Sequence, residues 1–131
     1  MQRVIISLCL IVILFSCKKD SSQSSQSNFQ LIFGRWNFVS FTDRSGTTVN
    51  NSNPCLADNF IVFRTDTTGY TSQGLCLANP SDPRDVEFGK WFFTSVDIMD
   101  IGGDEVKILR LTASELWFRE TTGDYEYHWK R

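Results

Sequence analysis

Glu105-Val106-Lys107-Ile108-Leu109-Arg110-Leu111 is followed by Thr112-Ala113-Ser114, Glu115-Leu116-Trp117-Phe118-Arg119-Glu120, Thr121-Thr122-Gly123-Asp124 and Tyr125-Glu126-Tyr127-His128-Trp129-Lys130-Arg131. The longer runs are rich in β-branched, aromatic and aliphatic residues, and the pieces between them are turn formers, so the stretch reads as strands joined by hairpins. Its last strand, Asp124 to Lys130, alternates, with Tyr125, Tyr127, Trp129 and then Arg131 on one face and Glu126, His128 and Lys130 on the other. That is the period of a strand with one covered face. Just upstream, Gly102-Gly103 permits the positive φ of a tight turn between Asp97 to Ile101 and Glu105 to Leu111. The last four strands are therefore expected as consecutive hairpins.

Working outward, Arg35 to Thr42, Asn59 to Arg64, Gly69 to Gly74 and Glu87 to Thr94 add four more strands. From Gly34 onward no long run carries helical apolar spacing. The expected fold is all-β: an eight-stranded antiparallel up-and-down barrel, which removes the unpaired edges of a meander and encloses side chains or one small ligand. Two longer connections, Asp43 to Asp58 and Leu77 to Val86, are rich in Asn, Ser, Thr, Pro and Asp, and long loops on a compact domain often carry function. Phe29-Gln30-Leu31-Ile32-Phe33 reads as a short helical plug ahead of the first strand. Phe60-Ile61-Val62-Phe63 and Trp91-Phe92-Phe93 are apolar on both faces, which requires a cover from the N-terminal segment, a loop or a partner.

The chain has 131 residues, 41% hydrophobic and 14% aromatic, which suits one domain and argues against disorder. Lys and Arg number 13 against 15 Asp and Glu, so no basic excess points to nucleic acid.

The N-terminus supplies an address. Behind Arg3, the run Val4 to Phe15 is apolar but shorter than the roughly 20 residues of a spanning helix, as in a signal-peptide core. Leu14-Phe15-Ser16-Cys17 resembles the lipobox of bacterial lipoproteins, which implies that Cys17 becomes the first mature residue and carries the acyl chains. Several chains anchor a protein stably where one is marginal. The stretch Lys18 to Asn28 has no apolar residue and reads as a flexible tether. The expected organisation is a signal peptide over residues 1–16, a lipidated tether over 17–28 and a barrel domain over 29–131. Lys18 after the lipidated position favours the outer membrane of a Gram-negative envelope; its periplasmic and outer faces both stay open.

Of the four cysteines, Cys9 leaves with the signal and Cys17 is lipidated. Cys55 and Cys76 remain, in an oxidising compartment, and lie nearly symmetrically about the turn at Thr65 to Gly69. A disulfide between them is expected, contributing roughly 3 kcal/mol on the chain-entropy model.

Several short motifs together resemble the lipocalin-like domains of small bacterial lipoproteins. They are Leu31-x-x-Gly34-x-Trp36, Cys55-x-x-Asp58 before Phe63 and Gly69-Tyr70, Cys76, Gly89-x-Trp91, and Leu111-Thr112-x-x-x-Leu116. The resemblance implies that Trp36 lies across the closed end of the barrel under a basic residue of the last strand, Arg131 or Lys130.

Catalytic chemistry finds little footing. The single histidine, His128, has Glu126 to orient it as a general base but reads as a solvated strand residue. Asp82, Asp85, Glu87, Asp97, Asp100, Asp104 and Glu105 match no calcium-loop spacing and read as turn caps and surface charge. No metal, cofactor or enzymatic activity is expected. Two functions stay open: a membrane-anchored protein that binds a small hydrophobic ligand in its barrel, and an envelope interaction or structural module with a filled barrel. Interior volume discriminates them, a cavity above roughly 300 Å³ favouring the first.

Overall fold

The computed structural model describes residues 25–77, 79–123 and 125–131, with backbone alone for 25–27. The expected signal peptide, Cys17 and the expected tether up to residue 24 lie outside the described residues. The elements are α1 (Ser25–Ile32), β1 (Gly34–Thr42), β2 (Thr48–Asn50), β3 (Phe60–Phe63), β4 (Thr68–Ser72), β5 (Asp85–Phe93), β6 (Ile98–Ile101), β7 (Asp104–Leu111), β8 (Glu115–Glu120) and β9 (Glu126–Lys130). All strand pairs are antiparallel, and from β3 to β9 each strand pairs with its sequence neighbour. The eight-stranded barrel closes where β1 meets β3 on one side and β9 on the other, through pairs such as Trp36↔Ile61 and Phe38↔Trp129.

One strand was not legible in the sequence. β1 has nine residues and β3 four, so β3 pairs only with Gly34 to Asn37 and leaves the far half of β1 exposed on that side. β2 fills the gap, pairing Thr48, Val49 and Asn50 with Thr42, Phe41 and Ser40. Three residues inside a Ser-, Thr- and Asn-rich loop carry no readable period; an open edge on a neighbouring strand recruits them.

α1 begins at Ser25 and so takes in four residues expected to belong to the tether. An isolated helix of this length is marginal in water. Docking stabilises this one: the Asn28 amide donates to the Val96 carbonyl at 3.0 Å, and the Phe29 ring meets Trp91 at 5.3 Å between centroids. Asn28 and Phe29 thus hold the helix on the barrel, with Ile32 buried at its end.

Cross-strand partners share a face, and the inward set is largely apolar: Trp36, Phe38, Ile61, Phe63, Trp91, Met99, Val106, Ile108, Leu116, Phe118 and Trp129 are all buried. Gly69 of β4 faces Gly89 of β5, next to a bulge that turns Phe88 inward. A Cβ at Gly69 would overlap both the Phe88 ring and the Val62 carbonyl oxygen. On the outer face, the doubly apolar β3 is covered locally: the Arg35 guanidinium lies 3.7 Å from the centroid of Phe60, and the Tyr70 ring meets Phe60 at 5.9 Å. Phe92 stays 49% exposed.

Candidate functional site

The two ends of the barrel differ. α1 crosses the end at which β1 starts, and its Ile32 and the residues beneath it leave no room: Ile32, Trp36, Phe63, Trp91, Met99 and Leu116 are essentially inaccessible. The Trp36 indole donates to the Ile32 carbonyl at 2.8 Å, tying strand to helix. Arg131 covers Trp36 from outside, its guanidinium carbon 4.2 Å from the ring centroid. The same guanidinium donates to the carbonyls of Leu31, at 2.6 Å, and Phe33 at the helix C-terminal end. Helix carbonyls lacking an intrahelical partner carry partial negative charge, which suits a cation. Of the two basic residues considered for this cover, Arg131 is therefore the one that stands over Trp36.

The opposite end is open. A well of about 440 Å³ descends between Ile61, Phe88, Val106, Phe118, Tyr127 and Trp129, with Thr71 and Ile101 also in its walls and Asp104, Glu105, Glu120 and Thr122 at its mouth. Phe88 forms part of this wall because Gly69 leaves room for its ring. Tyr127 pairs with Phe118 and stacks beside Trp129. Burial of its phenol, followed by the charge of Glu120 and a hydrogen bond to that carboxylate, pushes its pKa up to about 12. The Trp129 Nε1–H is buried and has no hydrogen-bond partner among the described residues. Both long connections leave from this end, because β3 starts and β4 ends there. The Cys55–Cys76 disulfide joins them, with a Cα–Cα distance of 4.8 Å.

The outer face of β8 and β9 carries a polar strip. His128 stacks on Trp117 with ring centroids 4.4 Å apart, and the Arg110 guanidinium lies 5.3 Å from the Trp117 centroid. His128 Nε2 meets Glu126 Oε1 at 2.9 Å, and Arg119 reaches the other carboxylate oxygen at 2.6 Å. These two hydrogen bonds, the histidine's first, hold the Glu126 carboxyl below its ordinary range. With Nε2–H donating, a neutral ring accepts the Ser40 hydroxyl at Nδ1, where the distance is 3.3 Å. Serine, histidine and glutamate thus stand in a row. Neither Ser40 nor His128 lines the well or the polar cleft formed beside it by residues 42–44, 119–123 and 126, and Ser40 is buried between its strand partners. The row is a hydrogen-bonded seam across β1 and β9.

The carboxylates weighed for a hard cation do not gather: no cluster of three or more metal-ligating side chains occurs among the described residues. Asp97 faces Lys107 at 3.7 Å, Glu87 pairs with Arg64 at 3.0 Å, and Asp100 accepts from the Gly103 amide in the β6–β7 turn. The residues of the well were not singled out from sequence. Their signal was present in part, since Tyr127 and Trp129 belong to the alternating face of the last strand, but which end of a barrel is open depends on where the helix docks. No protein-family model, no curated protein and no solved structure matches this chain.

Proposed function

We propose that this protein is a lipid-anchored, lipocalin-like binding protein of a Gram-negative cell envelope, which takes a small hydrophobic ligand into the open half of its barrel. The observation that carries the reading is the well itself: about 440 Å³, walled by aromatic and aliphatic side chains. Ligand pockets begin at roughly 300 Å³ and are mostly apolar with a few placed polar groups. The closed half is packed with Trp36, Trp91 and Phe63, which supports a rigid floor under a shallow site. The envelope address rests on the lipobox ending in Cys17, with the acyl chains and the tether between membrane and barrel.

Titration of the full chain in phosphatidylcholine nanodiscs with an environment-sensitive apolar dye tests the binding. Val106→Phe serves as the comparison, since Val106 faces the well and a larger ring there fills it. Saturable binding by the native chain that Val106→Phe abolishes supports the reading. Equal signal from both proteins places the dye elsewhere and overturns it in favour of an interaction module. For the anchor, Cys17→Ala should lose a metabolically incorporated fatty-acid label and leave the membrane fraction. Label retained on that variant refutes the lipoprotein assignment.

A further inference from the structure

Strand register determines the chemistry of the mouth. Val106 and Phe118 are buried inside the barrel, and Val106 is the cross-strand partner of Glu120. Glu120, two residues beyond Phe118, therefore shares the inward face. Asp104 lies two residues before Val106 and pairs with Ile101, another wall of the well. Two carboxylates thus point inward at the top of an apolar shaft, with Glu105 beside them. No Lys, Arg or His is among the residues lining it. Glu120 also borders an adjoining polar cleft that includes Arg44 and Arg119; Arg119 is held by Glu126 at 2.6 Å, and Asp104 does not line that cleft.

A second observation lies deeper. Trp129, only 8% exposed, is one of the walls, and its buried indole N–H has no partner among the described residues. A buried donor without a partner is costly, and because the ring that carries it borders the well, its resonance reports on what occupies the well. Tyr127, the other polar aromatic of the wall, feels the charge of Glu120, which sets collar close above wall.

We propose that the ligand is a cationic amphiphile: its apolar body enters the well toward Trp129, and its protonated amine stays at the Asp104–Glu120 collar. The proposal rests on the reading of the barrel as a ligand site and specifies which class it takes. Low-dielectric walls around like charges focus their field on a bound cation, and the same field disfavours an anion.

The test uses phenoxyhexylamine, phenoxyhexanol and phenoxyhexanoate, which share one body and one ether oxygen and differ in charge. Each is titrated into the full chain in phosphatidylcholine nanodiscs, with the tryptophan indoles labelled with nitrogen-15. The Trp129 indole resonance, assigned through Trp129→Phe, separates binding in the well from partition into lipid. The amine should bind at least about tenfold more tightly than the alcohol, and the carboxylate more weakly than both. The double variant Asp104→Asn, Glu120→Gln should bring the three affinities together, and an amine preference that survives it overturns the collar. Equal affinities in the native chain overturn the cation preference and leave a neutral ligand site standing. If no probe shifts the Trp129 resonance, the ligand reading falls with it.

Discussion

Arg131 and Trp36 lock the closed end of the barrel, the guanidinium carbon 4.2 Å from the indole centroid. The same side chain donates to the carbonyls of Leu31 and Phe33, so one cation joins the last strand, the first strand and the helix end. Arg131→Ala should destabilise the fold by about 2 kcal/mol, the sum of a cation–π contact and charge-assisted hydrogen bonds discounted for exposure. Arg131→Lys should recover less than half, because an ammonium has no planar fork to stack on the indole while bonding two carbonyls. Urea unfolding measures both variants; a lysine variant as stable as the native chain would show that charge alone suffices.

The Cys55–Cys76 bridge spans a sequence separation of 21 residues. Its loss in the paired Cys55→Ala, Cys76→Ala variant should cost about 3 kcal/mol by the chain-entropy relation. Strand content should persist, since the ladder between β3 and β4 does not pass through the bridge. Circular dichroism with thermal melting follows both quantities. A melting midpoint that does not move would mean that the two loops are held together without the bond.

Gly69 is irreplaceable for a packing reason. A methyl group there overlaps the Phe88 ring and the Val62 carbonyl oxygen, so Gly69→Ala should cost about 1–3 kcal/mol as the bulge on β5 is pushed outward. Because Phe88 lines the well, apolar dye binding should weaken in the same variant. A structure of Gly69→Ala with Phe88 unmoved, and unaltered stability, would contradict this account.

Tyr127 makes stability depend on alkaline pH. Its folded-state pKa is raised from 10.0 to about 12, so the native state holds a proton that the unfolded chain gives up first. Its stabilising contribution is complete below pH 10.0, and it is lost as pH rises from there through about 12. The phenol is half-buried, which moderates the magnitude. Tyr127→Phe should flatten this part of the stability profile relative to the native chain, as read by urea midpoints across the range. Parallel profiles for the two proteins would assign the alkaline loss to other groups.

Much of the barrel was legible from residues 105–130 because a hairpin is local chemistry: turn formers at short spacing between β-rich runs, and an alternation that marks the covered face of β9. The strands read from sequence end within about two residues of those observed. The Cys55–Cys76 pairing was legible for a related reason, since symmetric placement about one hairpin brings both cysteines to its open end. β2 and the first turn of α1 were not, because each forms only against a surface made elsewhere in the chain: the free half of β1, and the Val96 and Trp91 that receive Asn28 and Phe29.

By itself, then, the sequence determined the strand meander, the covered face of its last strand and the bond between its two long loops. Only the tertiary structure decided that the barrel is solid at one end and hollow at the other. Composition places Trp36, Trp91, Phe118 and Trp129 alike inside. Whether a ring fills space or borders it depends on the rings across from it. α1 and the short β5–β6 end bring Phe29, Phe33 and Phe63 together over Trp91, and that end packs solid. At the other end no helix arrives among the described residues, and the register sets Asp104 and Glu120 on the inward face. Carboxylates that keep their water cannot close a core, so the shaft beneath them stays open.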